Sequence, residues 1–72
     1  MELDIRPVPP PKRHPMIFET FDGMEPGQAI RLINDHDPKP LHYTFMHERE
    51  GSFEWSSQES GPEKWVALIR KL

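Results

Sequence analysis

Four histidines give this chain of 72 residues side chains that bind metals or exchange protons near neutral pH. They are His14, His36, His42 and His47. His36 stands between Asp35 and Asp37, and carboxylates combine with imidazoles in many transition-metal sites. A set of His14, His36 and Asp37, or Asp35 in its place, would suit zinc, iron or manganese. The pattern therefore allows a divalent metal site with these ligands.

The same acidic loop also has a purely structural interpretation. Aspartate side chains commonly cap the first turn of a helix, so Asp35 and Asp37 would buttress a helix that follows them. His42 and His47 do not add to a metal site, because positions five apart on a helix diverge by about 140°. We expect no cofactor and keep the metal site as the alternative.

Catalytic chemistry has little support in the sequence. The chain contains no cysteine, which removes thiolate catalysis, Cys-ligated zinc and iron–sulfur centres. Asp35 or Asp37 could tune the His36 imidazole for acid–base work, but no serine or threonine is recognisably activated. We predict a non-enzymatic binding or interaction module. The alternative is a metal- or redox-linked accessory domain that uses His14, His36 and the carboxylate of Asp35 or Asp37.

A basic cluster near the start of the chain favours anion binding. Arg6, Lys12 and Arg13 flank the predicted beginning of a helix, where free N–H groups and the helix dipole attract negative charge. Alternatively, these bases pair with the aspartates of the acidic loop. The candidate ligand-binding residues are Arg6, Arg13, His14, Asp35, His36 and Asp37.

The composition limits the range of partners. Nine Lys and Arg against twelve Asp and Glu give a formal charge of −3, so the basic surface of a nucleic-acid binder is missing. The longest apolar run, residues 65–69, is far shorter than the roughly 20 residues that span a bilayer. The first residues also lack a basic stretch followed by an apolar one. We expect a cytoplasmic protein with a protein partner or a small ligand, no nucleic-acid or membrane binding, and an oligomeric state left open.

Hydrophobic periodicity predicts the first strand and the first helix. Leu3 and Ile5 alternate with polar neighbours, which indicates a half-buried strand. The prolines within residues 7–11 predict a stiff polyproline-like connector, because proline fixes φ and restricts the residue before it. The next proline suits the first turn of a helix over residues 15–24, with His14 as its N-cap.

The remaining elements complete a two-layer fold. A nearly continuous apolar run predicts a central strand at residues 28–34, and residues 40–49 follow as a second helix. Residues 52–57 and 65–70 alternate as an antiparallel hairpin. The order β-α-β-α-β-β predicts one domain over residues 1–72, an α/β (α+β) two-layer sandwich with a four-stranded mixed sheet and both helices on one face.

This topology brings two loops to one edge of the sheet, because the carboxyl ends of parallel strands share an edge. Residues 7–14 follow the first strand, and residues 34–40 follow the second. We expect binding at this edge, with Arg13 as a donor and His36 as the group that changes charge. His14 would be a second donor, and the aspartates of the acidic loop would orient the site.

The two tryptophans leave a separate question open. A sheet covered by helices on one face exposes its other face to water. If Trp55 and Trp65 lie on that open face, they form an apolar patch of the kind that marks an interface. If they do not, they belong to the core.

Four segments form a recognisable set, namely Leu3-Asp4-Ile5-Arg6, Met24-Glu25-Pro26-Gly27-Gln28, Asp35-His36-Asp37-Pro38 and Ile69-Arg70-Lys71. Together they resemble the small bacterial sulfur-carrier domains of the TusA and SirA type. The resemblance implies a TusA-like β-α-β-α-β-β fold. Sulfur carriers also share a Cys-Pro-x-Pro motif, and counting back from Pro26 places Pro10 at the position of its cysteine. Persulfide transfer needs a sulfur nucleophile, so the family's sulfur relay is excluded for this chain.

A second set of motifs extends over nearly the whole chain. It consists of Arg-Pro-x-Pro-Pro-Pro at residues 6–11, Arg13-His14-Pro15, Phe18-Glu19-x-Phe21-Asp22, Asn34-Asp35-His36-Asp37-Pro38, Phe53-Glu54-Trp55 and Gly61-Pro62-Glu63-x-Trp65. This set resembles the domain-of-unknown-function family 2249 more closely. The resemblance implies a bacterial protein of unestablished activity. Relatives are sometimes joined to haemerythrin-like or other small cytoplasmic domains and accompany nitrogen-oxide and respiratory metabolism, a context that implies no particular reaction.

Overall fold

The computed structural model describes residues 1–72 and contains one four-stranded sheet covered by two helices. The strands are β1 (Glu2–Asp4), β2 (Ala29–Asn34), β3 (Phe53–Ser60) and β4 (Trp65–Lys71), and the helices are α1 (Pro10–Asp22) and α2 (Lys39–Glu48). The strand order is β1-β2-β4-β3. β1 and β2 run parallel, whereas β4 runs antiparallel to both of its neighbours. The predicted element order and the α+β fold with a mixed sheet are confirmed.

The core lies between the sheet and the helices, and Phe45 of α2 lies near its centre. Phe45 stacks on Phe18 of α1 at 4.4 Å between ring centroids and meets Phe21 edge-on at 5.1 Å. It also contacts Trp55 of β3 at 6.0 Å. Burial of such apolar surface is the main favourable term in folding. The buried cluster consists of Ile5, Ile17, Phe21, Met24, Ile30, Leu32, Leu41, Phe45 and Ile69.

The opposite face of the sheet carries cross-strand ion pairs. Arg31 of β2 donates to Glu2 of β1 at 2.9 Å, and Arg70 of β4 donates to Glu54 of β3. These side chains alternate along their strands with residues of the buried cluster, as the two-residue period of a strand requires. The open face therefore combines ion pairs across neighbouring strands with an apolar pair, because Ile33 of β2 and Val66 of β4 lie opposite each other on the same side as Arg31 and Arg70.

Neither tryptophan contributes to an apolar patch on the open face. Trp55 lies on the helix side, where its ring stacks on His42 of α2 at 4.4 Å with an interplanar angle of 8°. Trp65 shares a face with Ile69 of the buried cluster, because their positions differ by an even number along β4. Both tryptophans are half-buried, so the core interpretation applies.

The first helix begins at Pro10 rather than at Pro15, and the predicted connector over residues 7–11 is wrong in its second half. Pro10 and Pro11 fill the first two helical positions, where a missing N–H breaks no intrahelical hydrogen bond. Pro15 lies inside the helix and cannot donate to the carbonyl of Pro11. His14 is therefore a helical residue and not the N-cap, which is Pro9.

The other predicted boundaries differ from the structure by a few residues. β3 continues to Ser60, three residues beyond its predicted end, and contains a bulge between Ser57 and Glu59. β4 extends to Lys71, and α2 begins and ends one residue before its predicted bounds. Neither α1 nor α2 combines the length and apolar character that crossing a membrane requires.

Candidate functional site

The guanidinium of Arg13 fixes the loop that joins β1 to α1. Arg13 lies in α1 near its beginning and is 7% exposed. Its Nε donates to the Val8 carbonyl at 2.8 Å, and its Nη2 donates to the Arg6 carbonyl at 3.1 Å. Both carbonyls belong to the loop between β1 and α1, so Arg13 holds that loop against its own helix.

The same guanidinium reaches the residues that follow β2. Its Nη1 and Nη2 donate to the two carboxylate oxygens of Asp35 at 3.0 and 3.2 Å. Its Nη1 also donates to Asn34 Oδ1 at 3.4 Å. All five N–H donors of the guanidinium therefore have partners. We call this set the Arg13 clamp; it consists of Arg6, Val8, Arg13, Asn34 and Asp35.

The Arg13 clamp changes the interpretation of the basic cluster. A guanidinium whose donors are all occupied by protein acceptors has none left for an anion. Arg13 is thus paired with Asp35, as the second interpretation of the basic cluster expects, and is not a free cation that could bind an anion. Its effect is to join the two loops that were predicted to face each other across the sheet edge.

Asp35 connects the Arg13 clamp to His36. Hydrogen bonds from Arg13, and secondly from His36, lower the pKa of the Asp35 carboxyl to about 2, so this group is ionised at neutral pH. Its Oδ1 lies 2.7 Å from Nδ1 of His36. An ionised carboxylate can only accept, so Nδ1 of His36 carries the proton. In a neutral imidazole held this way, Nε2 is left as a hydrogen-bond acceptor.

A small crevice lies between α1 and the loop that follows β2. Its volume is about 160 Å³, and its apolar floor consists of Ile5, Ile17 and Leu41, all of which are buried. His14 and His36 contribute its walls and are otherwise exposed. The other lining residues are Pro10, Arg13 and Asn34. The structure brings Arg13, His14 and His36 into one cavity, while their role in ligand binding stays a prediction.

Arg6 and Asp37 do not line this crevice. Arg6 donates to the Asp4 carboxylate through Nε at 2.9 Å and through Nη2 at 2.6 Å. These hydrogen bonds lower the pKa of the Asp4 carboxyl to about 2. Asp37 accepts a hydrogen bond from the amide of Lys39, the first residue of α2, at 3.0 Å. Asp37 therefore buttresses the beginning of α2, as the structural interpretation of the loop expects.

The predicted metal ligands are not assembled into one site. The structure contains no group of three or more His, Cys, Asp or Glu side chains placed to hold a metal ion. His14 and His36 share the crevice, but Asp37 is occupied at the start of α2 and Asp35 is occupied by Arg13. The combination of His14, His36 and Asp37 therefore gives no three-ligand group.

The helix N-termini at this edge also offer few amides to an anion. Pro10 and Pro11 have no N–H, and the amide of Lys12 already donates to a backbone carbonyl at 2.9 Å. At the start of α2, Asp37 accepts the amide of Lys39, and the following residue is a proline. The anion site expected from the basic cluster consequently lacks its main donors.

Sequence reasoning missed two polar residues that organise the molecule. Asn34 ends β2, is 4% exposed, and accepts the Asp35 amide at 2.8 Å through Oδ1. The sequence did contain a signal for Asn34, because it is a polar residue at the end of an otherwise apolar strand. Lys71 gave no local signal, since its partners are about fifty positions away in the chain. Its Nζ donates to three carbonyls at the C-terminal end of α1, those of Phe21, Asp22 and Met24, at 3.3, 3.0 and 2.7 Å.

The fold and the site define a small α+β domain with a preformed crevice and no cysteine. The family model described as "Uncharacterized conserved protein (DUF2249)" matches residues 2–71, and the chain belongs to this family. This confirms the family predicted from the sequence motifs. No curated protein matches the chain, and no solved structure matches it. The resemblance to TusA-type sulfur carriers therefore stays a prediction.

Proposed function

We propose that this domain is a non-enzymatic interaction module that receives one side chain of a partner protein in the crevice between His14 and His36. The observation that carries the proposal is the crevice itself. It has an apolar floor and polar walls, and it lies at the sheet edge where the β1–α1 loop meets the loop that follows β2. Its volume of about 160 Å³ is roughly half the lower limit of pockets that hold drug-sized ligands, about 300 Å³. A cavity of this size suits a single side chain better than a cofactor.

The walls of the crevice are held in place before any partner binds. The Arg13 clamp links the β1–α1 loop to Asn34 and Asp35 through hydrogen bonds and an ion pair. Asp35 in turn orients His36. Binding to a preorganised surface avoids the entropy cost of ordering its loops, which favours recognition by a small site.

The side chains that line the crevice also support binding rather than chemistry. They include no serine, threonine, aspartate, glutamate or lysine. The side-chain groups left to contact a partner are the two imidazoles and the amide of Asn34, above the apolar floor. A few polar groups above an apolar surface fix the orientation of a bound group and give specificity in ligand pockets.

Selection of peptides from a random display library tests the proposal. Peptides selected on the wild-type protein are titrated against protein carrying methyl labels, and the shifted signals are mapped. We expect saturable shifts at the methyl groups of Ile17 and Leu41. The double variant His14→Ala/His36→Ala should bind these peptides at least about tenfold more weakly, because truncation of a central contact commonly costs that much.

His47→Ala is the matched control, since His47 is also an exposed helical histidine but lies outside the crevice. This variant should bind the peptides like the wild type. The proposal is wrong if the selected peptides shift signals elsewhere on the surface and bind the double variant with undiminished affinity.

A further inference from the structure

One wall of the crevice carries a hydrogen-bond donor that no protein group accepts. Asn34 is 4% exposed and lines the crevice. Its Oδ1 accepts from Arg13 and from the Asp35 amide, and two donors at one atom identify that atom as the oxygen. The Nδ2 group donates no hydrogen bond within the protein. The only fully enclosed side-chain nitrogen or oxygen without a hydrogen-bond partner is Trp65 Nε1. Since Asn34 Nδ2 also has no partner, it is not fully enclosed and a ligand can reach it. The crevice is the cavity that Asn34 lines.

Another wall of the same crevice carries the complementary group, an acceptor. His36 lines the crevice, and its Nδ1 is bound to the Asp35 carboxylate. Its Nε2 makes no hydrogen bond within the protein and is an acceptor in the neutral imidazole. A ligand that satisfies both walls must therefore accept one hydrogen bond and donate another.

We propose that the crevice recognises a primary carboxamide, the group at the end of an Asn or Gln side chain of the partner. Its carbonyl oxygen accepts from Asn34 Nδ2, and its NH₂ group donates to His36 Nε2. The aliphatic stem of the side chain lies above the floor to which Ile17 and Leu41 belong. The inference rests on the proposed function and names the chemical group that the crevice takes.

The charges around the crevice disfavour the isosteric ionic groups. A carboxylate cannot donate to His36 Nε2, and it would approach the ionised Asp35 behind that imidazole. An ammonium cannot accept from Asn34, and it would approach the guanidinium of Arg13 in the crevice wall. Arg13 and Asp35 neutralise each other, so the crevice has no net charge to attract either ion.

Three probes of matched size separate these possibilities, namely propionamide, propionate and propylammonium. Each is titrated at millimolar concentration into isotope-labelled protein at about pH 8, above the usual range in which histidine gains a proton. The signals followed are the side-chain NH₂ of Asn34 and the methyl groups of Ile17 and Leu41. We expect saturable shifts at all three residues with propionamide. The two ions should bind at least about tenfold more weakly, because a site built for a hydrogen-bonded group rejects analogues that leave its polar atoms unpaired.

The variant His36→Phe removes the acceptor and changes an exposed side chain, so it should fold and bind propionamide at least about fivefold more weakly. His47→Phe is the control and should leave propionamide binding unchanged. Binding of either ion at these methyl groups as tightly as propionamide would overturn the inference and leave the proposed function standing. Absence of a saturable shift with propionamide would also overturn it, and the peptide selection then decides independently whether the crevice binds a partner.

Discussion

Arg13 joins parts of the chain that are far apart in sequence. Its guanidinium binds two carbonyls of its own preceding loop and the side chains of Asn34 and Asp35, which lie 21 and 22 positions away. A lysine could not replace it, because an ammonium is a point charge that lacks the planar arrangement of five donors. The shape of the crevice therefore depends on this one side chain.

Arg13→Met should lower the free energy of unfolding by about 3 kcal/mol, since it leaves buried acceptors without donors. Urea unfolding followed by circular dichroism measures the change. Arg70→Met is the matched control, because Arg70 pairs with Glu54 on the open face and exposed pairs contribute about 1 kcal/mol or less. Equal losses in the two variants would show that Arg13 is only a surface ion-pair residue.

At the scale of elements, α1 shows which parts of the fold were predictable. Ile17 and Phe21 recur at helical spacing, and both are buried as that spacing predicts. The beginning of the helix was mispredicted because Pro10 and Pro11 are compatible both with a polyproline connector and with a first helical turn. In the structure α1 begins at Pro10, and Arg13 in its first turns contacts Asp35. The local sequence does not reveal this contact, because the two residues are 22 positions apart.

Pro15 and Pro10 should respond oppositely to replacement by alanine. Pro15→Ala restores the N–H that can donate to the Pro11 carbonyl inside α1, and alanine is much the better residue in a helix interior. We expect Pro15→Ala to raise the free energy of unfolding by about 1 kcal/mol, after allowance for the greater entropy of the unfolded chain. Pro10→Ala regains no intrahelical bond and should lower it by about 0.5 kcal/mol. Thermal and urea unfolding report both changes, and a loss of stability in Pro15→Ala would contradict this account of α1.

At the scale of the whole molecule, the mixed four-stranded sheet and the edge at which the crevice lies followed from the β-α-β-α-β-β pattern, whereas the order of the strands in the sheet was not predicted. The pairing of Asp35 with His36 was also accessible from sequence, because the two residues are neighbours. The free amide of Asn34 was not, since its availability depends on Arg13 and the Asp35 amide occupying the other end of that side chain. Tertiary hydrogen bonds decide which polar atoms stay unpaired. The residues that make these hydrogen bonds lie in both loops, so no single segment of the sequence predicts the result.

Ion pairs at this edge also contribute to the acid stability of the molecule. Arginine partners lower the pKa values of Asp4 and Asp35 from 3.8 to about 2. A lowered pKa means that the unfolded chain binds the proton more tightly than the folded protein does. The stabilisation is thus fully present above pH 3.8 and is lost as the pH falls from 3.8 to about 2.

We therefore expect the urea midpoint to fall steeply with pH in that acidic range. Asp35→Asn should be less stable at neutral pH but should show a shallower fall, because one of the three carboxyl groups with a lowered pKa, Asp4, Asp22 and Asp35, is gone. Glu63→Gln removes an exposed carboxylate without an ion-pair partner and should keep the wild-type slope. Urea titrations at a series of pH values measure the three slopes. If Asp35→Asn keeps the full wild-type slope, the bond between Arg13 and Asp35 does not carry the acid sensitivity, and the link between its two loops is weaker than the geometry implies.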